Sequence, residues 1–255
     1  MVKNRLIAVL IIRDGQVVQS IHFKHTNVIH WNPVEAIDVF NEWAIDEVIV
    51  LNVSRTNATK DKFVNILTRL AEKCFVPLAA GGWVENLADA AQLIRNGADK
   101  VIVNTAAYRR PDLITDIADK FGNQCCVVSI DAKRDENSGK QLVYIDRGRE
   151  PTEQTPLSWA KAAVKYGAGE IFYNSINHDG NREGYDLGTV RELADYLSVP
   201  VIAFGGVFTW QHLADGILIG NADAVAAANI FHYTEHSVIK AKRFLLGKGL
   251  NFRGI

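Results

Sequence analysis

The residues that could do chemistry fall into three sets. Two Gly-Gly pairs, Gly81-Gly82 and Gly205-Gly206, end similar stretches, Val76 to Gly82 and Val199 to Gly206, each with an apolar run and a proline. Glycine after a strand lets backbone N–H groups approach an oxyanion, and a short helix that follows adds a favourable dipole. Phosphate suits such a corner. Each pair is followed one apolar run later by an asparagine, in Asn104-Thr105 and in Ala228-Asn229, so the pattern occurs twice. The second set is Asp131, the carboxylate that ends the apolar run Cys125 to Ile130. Partial burial there would tune it for general acid or base work. A salt bridge to Lys133 or Arg134 is the structural alternative. The third set is Arg5, Glu47, Lys100 and Glu170, which open four apolar runs and make two opposite-charge pairs. Charges at strand starts are ordinarily solvated or stabilising.

Other chemistry finds little support. The turn-forming run Asn177-His178-Asp179-Gly180-Asn181 reads as a binding loop beside the second Gly-Gly pair. Histidines stand at 22, 25, 30, 178, 212, 232 and 236; the nearest pair, His22 and His25, falls in an expected loop with no Cys or carboxylate close by. No metal site is expected. The three cysteines, Cys74, Cys125 and Cys126, lack metal-ligand spacing and are expected to be reduced and structural. No Gly-x-Ser-x-Gly elbow occurs and no Gly-x-Gly-x-x-Gly opens a helix.

These residues need elements to position them. Eight β-rich runs are expected as strands: 5–12, 47–52, 76–80, 100–104, 125–131, 170–174, 200–204 and 224–228. Between them lie runs of helical period, at 33–43, 61–73, 87–96, 111–121, 158–166 and 187–197. This alternation predicts an α/β fold, a single (β/α)8 TIM barrel over residues 1–255 with no linker. The long interruption 133–148 reads as a loop carrying a hairpin around Gln141 to Ile145. Gly81 and Gly205 lie 124 residues apart and Asn104 and Asn229 lie 125 apart, nearly half the chain, which predicts two-fold half-barrel pseudo-symmetry. Ligands of such barrels bind at the C-terminal strand ends, where both Gly-Gly corners and Asp131 would meet.

Composition narrows the partners. Lys and Arg number 28 against 29 Asp and Glu, so no charge excess points to nucleic acid or an anionic membrane. The longest purely apolar stretch, Leu6 to Ile12, is far below the roughly 20 residues of a membrane span. A cytoplasmic location and small-molecule or protein partners are expected.

The chain resembles, over essentially its whole length, the cyclase (synthase) subunit of imidazole glycerol phosphate synthase. The resemblance rests on Asp14-Gly15-x-Val17-Val18, Asn104-Thr105-Ala106-Ala107, Ile130-Asp131-Ala132-Lys133-Arg134, Gly167-Ala168-Gly169-Glu170-Ile171, Asp179-Gly180, Gly184-Tyr185-Asp186, Gly205-Gly206 and Ile230-Phe231-His232. It implies a barrel that pairs with a glutaminase subunit and receives ammonia through its core. The ammonia would be used on a doubly phosphorylated aminoimidazole ribonucleotide, with no metal or organic cofactor. It further implies that Arg5, Glu47, Lys100 and Glu170 form an ammonia gate at the barrel base. Gly82, Asn104, Thr105, Asp179, Gly180, Gly206, Ala228 and Asn229 fall on two phosphate corners, and Asp131 matches one of two acid/base aspartates.

Departures from that pattern are specific. The other aspartate belongs at the end of the first strand, where this chain has Ile11. The family favours Asp at Asn52, Lys at Gln19, Gly at Trp83, a hydroxyl residue at Asn174 and Ser at Phe204. Three readings follow. The chain is a cyclase-type subunit; or a paralogue that channels ammonia to a third protein amidating a surface-polysaccharide sugar nucleotide; or a non-catalytic activator of the glutaminase.

Overall fold

Eight parallel strands close on themselves in the computed structural model, which describes residues 3–42, 44–136, 138–231 and 236–254. They are β1 (Arg5–Arg13), β2 (Glu47–Asn52), β3 (Leu78–Gly81), β4 (Lys100–Val103), β5 (Cys126–Arg134), β6 (Glu170–Ser175), β7 (Val201–Phe204) and β8 (Ala224–Ala227). Each pairs with the next, and β8 returns to β1 with Arg5 opposite Ala224 and Leu6 opposite Val225. The chain therefore forms the expected (β/α)8 barrel.

A main helix follows each strand: α1 (Pro33–Glu42), α2 (Lys60–Ala71), α3 (Leu87–Arg95), α4 (Asp112–Phe121, preceded by the short helix Thr105–Arg109), α5 (Pro156–Lys165), α6 (Leu187–Tyr196), α7 (Trp210–Leu218) and α8 (Ser237–Gly247). Their starts are written in the sequence. Asn86, Thr155, Asp186 and Thr209 each accept a backbone N–H from the first turn of α3, α5, α6 and α7, and such caps contribute about 1 kcal/mol each.

Strand alternation divides the core in two. In β1, Leu6, Ala8, Leu10 and Ile12 face the helices, whereas Ile7, Val9 and Ile11 join Ile49, Ala79, Ile102, Val127, Phe172 and Ile202 in the interior. Both faces are apolar because a parallel strand here is covered on both sides. Interior-facing positions with polar side chains therefore stand out at the two ends of the barrel.

Two excursions leave the ring. The segment 133–148 does carry its expected hairpin, with Gln141–Ile145 antiparallel to β5. The first loop is a correction: Gln16–Ile21 pairs with His25–His30, so His25 opens a strand and is no loop residue. Most of His25–His30 is exposed or half-buried, so its sequence lacks the apolar alternation that marks a strand. His232 lies outside the described residues. Among the described residues, no helix is long and apolar enough to cross a membrane, and no cluster of His, Cys, Asp and Glu could hold a metal.

Candidate functional site

At the N-terminal end of the strands, four charges meet in a closed ring. Arg5 Nη1 lies 2.6 Å from Glu47 Oε2 and 2.9 Å from Glu170 Oε1. Lys100 Nζ lies 2.9 Å from Glu47 Oε1 and 3.0 Å from Glu170 Oε2. Each cation bridges both carboxylates, so charge cancels inside the ring. Burial alone would lower the Arg5 guanidinium pKa, but Glu47 and Glu170 outweigh it and hold it above its ordinary value. These residues come from β1, β2, β4 and β6, on different sides of the barrel, and only inward-facing side chains could reach one another.

Above the ring the lumen is apolar, through Ile7, Val9, Ile49, Ile102 and Phe172, with Phe204 stacked on Phe172 at 5.1 Å between centroids. Polarity returns at the C-terminal strand ends. Asp131 is buried on β5, and Asn104 Nδ2 donates to its Oδ2 at 2.8 Å. Desolvation pushes its carboxyl up to about 7, against the pull of hydrogen bonds from Asn104 and Asn174 and with a small push from the charge of Asp179. A carboxyl with that pKa exchanges protons near neutrality. The salt-bridge alternative fails: Lys133 sits 5.9 Å from the Tyr144 ring centroid, and the carboxylate is held by amides. At the same end of the barrel, Asn52 Nδ2 and Asn174 Oδ1 are buried with no hydrogen-bond partner among the described residues.

The two glycine corners differ. A cavity of about 460 Å³ opens at the β7/β8 corner, and Ile11, Asp179, Gly180, Gly206, Ala228 and Asn229 all line it. Gly82, Asn104 and Thr105 do not. At their β3/β4 corner, Thr105 Oγ1 accepts the Asp146 N–H at 2.9 Å and Trp83 Nε1 donates to Ser54 O at 3.0 Å. Thr105 opens a short helix, Thr105–Arg109, while Asn229 opens a single 3-10 turn, so the half-barrels repeat in outline only.

The 16–30 hairpin is clasped over this end. Asp179 Oδ2 accepts from Ser20 Oγ at 2.7 Å and from the Phe23 N–H at 3.2 Å. Burial raises the Asp179 carboxyl above its ordinary range, opposed first by the Ser20 hydrogen bond. Sequence reasoning named Asp179 but missed Ser20, Trp83's neighbour Arg147 and the cavity residue Arg182. Only Arg182 carried a signal, two residues beyond Gly180.

A family model described as "Histidine biosynthesis protein" matches residues 5–237. With HisF relatives 39% to 41% identical over its full length, the chain belongs to the HisF family. It is similar to the imidazole glycerol phosphate synthase subunit HisF of Anoxybacillus flavithermus, 41% identical over 253 residues, 99% of this chain and 100% of that one. The HisF of Bacteroides thetaiotaomicron is 39% identical over 254 residues, all of both chains. Ile11 is buried at the lumen's upper end, in the interior apolar cluster.

Proposed function

We propose that the chain, working as one domain over residues 1–255, is the synthase-type subunit of a glutamine amidotransferase in the cytoplasm. A glutaminase partner docks at the barrel base, ammonia passes the four-charge ring, and a phosphorylated small molecule occupies the mouth. One observation carries this reading: a neutralised ring, an apolar lumen and a buried Asp131 poised near neutrality lie in order along the interior of one barrel. Uncharged ammonia suits an apolar lumen and ammonium does not. The names of the relatives support ring closure to imidazole glycerol phosphate as the reaction.

Ile11 favours a second reading. An alkyl side chain transfers no proton, and a general acid or base contributes about 10² to 10⁴-fold. The chain would then deliver ammonia to a third protein that amidates a surface-polysaccharide sugar nucleotide, or serve only to activate the glutaminase.

The cyclase reading expects imidazole glycerol phosphate from the doubly phosphorylated aminoimidazole ribonucleotide and an ammonium salt, lost in Asp131→Asn. A blank trace from the wild type sinks it. The delivery reading expects that blank trace, a stimulated glutaminase, and labelled amide nitrogen in the sugar only with the third protein present. Stimulation without transfer leaves the activator. A glutaminase that neither binds nor speeds up removes all the glutaminase-dependent readings.

A further inference from the structure

We propose that Asn174 is a positioning residue that ties the charge of Asp131 to the Gly205-Gly206 corner. Its side-chain amide turns with the proton on Asp131, offering that corner its carbonyl when Asp131 is ionised and its N–H groups when Asp131 is protonated. The effect on a ligand rests on the phosphorylated small molecule proposed above for the mouth.

Strand register sets up the relay. Asn174 on β6 lies opposite Asp131 on β5 and opposite Phe204 on β7, so it stands between the carboxyl and the glycine pair that follows Phe204. The side chain is buried, and its two ends meet different surroundings. One end donates to Asp131, alongside the bond from Asn104. The other end, Oδ1, has no hydrogen-bond partner among the described residues, and a Cβ on Gly205 would lie 3.0 Å from it. A hydroxyl side chain, which the family favours here, has no second end to present.

An amide in this place has one orientation for each state of the acid. A carboxylate only accepts, so it holds the N–H end and leaves the carbonyl toward Gly205. A carboxylic acid also donates, and the acceptor left unmet is Asn174 Oδ1. Protonation therefore favours a half-turn that bonds the acid O–H to Oδ1 and aims the N–H end at Gly205. Burial pushes the Asp131 carboxyl up to about 7, so both states are populated near neutrality. An oxyanion at the corner is repelled by the carbonyl and held by the N–H groups. The coupling is reciprocal, so an oxyanion seated there draws one proton from solvent onto Asp131, and the acid is armed when the corner is filled. Other charged and titratable groups face this region: Asp179, whose charge acts on Asp131; His22, whose charge acts on Asp179; His178, beside Gly206; and Arg182 on the cavity wall. Only the part of a pH effect that is lost with Asn174 therefore belongs to the relay.

The test uses the full chain and sulfate, which carries the same charge at pH 6 and pH 8 and stands in for a phosphoryl group. The side-chain amide signals of Asn174 in nitrogen–proton NMR spectra are identified by their absence from Asn174→Thr. They should shift with the same midpoint as the carboxyl carbon of Asp131, and stay fixed through that range in Asp131→Asn. Wild type should bind sulfate about tenfold tighter at pH 6 than at pH 8, and Asn174→Thr less than about threefold tighter. Amide signals that ignore the Asp131 titration overturn the turning of the amide. An equal pH ratio in wild type and Asn174→Thr overturns the link to the corner and assigns the effect to Asp179 and the histidines. Should Asn174→Thr not fold, Asn174→Ser identifies the signals and the wild-type midpoints decide. No sulfate bound at about 10 mM at either pH overturns the phosphate reading of the mouth, whereas the amide midpoints still uphold or overturn the turn.

Discussion

Asp131 carries a proton in the folded chain up to about pH 7, whereas an unfolded aspartate loses it near 3.8. Between these values the native state binds more protons than the unfolded one, so stability falls as pH rises through that window and levels off above it. Asp179 acts in the same direction. Asp131→Asn is expected to flatten most of the slope and to raise stability at pH 8 by on the order of 3 kcal/mol, read by urea unfolding at pH 5 and pH 8. A variant no more stable than the wild type at pH 8 would show that the carboxylate is not desolvated. Ile11→Asp makes the opposite trade. It buries a further acid in the cluster of Val9, Val18 and Phe204, and is expected to lower stability by about 2 to 4 kcal/mol. Gain of imidazole glycerol phosphate by that variant would trace a lost ring closure to this strand end. Asp131 is legible in sequence because an acid ending an apolar run is a local pattern, whereas Ile11 stands out only against the family resemblance. The amide from Asn104 that replaces the suspected Lys133 or Arg134 contact is not legible, since it is made across 27 residues.

Elements were legible where their faces are unequal or wholly apolar. The barrel strands are continuous apolar runs, and their predicted limits differ from the observed ones by at most three residues, the largest gap being at the end of β5. The His25–His30 strand escaped because it is neither. The charged ring depends on elements far apart in sequence, yet each member is marked by its place at a strand start. Glu47→Gln would leave Arg5 and Lys100 to share Glu170. Removing one partner of a buried pair costs about 3 to 5 kcal/mol, and partial hydration of Arg5 and Lys100 should reduce this to about 2. Thermal unfolding of Glu47→Gln beside the wild type measures it, and an unchanged midpoint would mean that the ring adds nothing to stability.

At the scale of the molecule, closure joins the last unit to the first. Lys242 on α8 is fully buried, with Nζ 2.6 Å from Asp46 Oδ1, and Asp46 Oδ2 accepts the Leu6 N–H at 2.9 Å. Asn4 N–H donates to Asn251 O nearby. Lys242→Met keeps the volume but strands the carboxylate, and is expected to cost about 3 kcal/mol in a single unfolding transition. A separate early transition of α8 would contradict that coupling. Neither Lys242 nor Asp46 stood out in the sequence, because a lysine in an amphipathic helix reads as solvated. The inequality of the half-barrels was also hidden. The repeat of Gly-Gly and Asn is visible, but the contacts that set the two corners apart, such as Trp83 Nε1 to Ser54 O, are not.

The ring at the base is a circuit in which every member has two neighbours. No side chain can swing out without breaking two contacts together, so excursions of a single residue are disfavoured. If ammonia passes here as proposed, its passage depends on whatever moves all four charges at once.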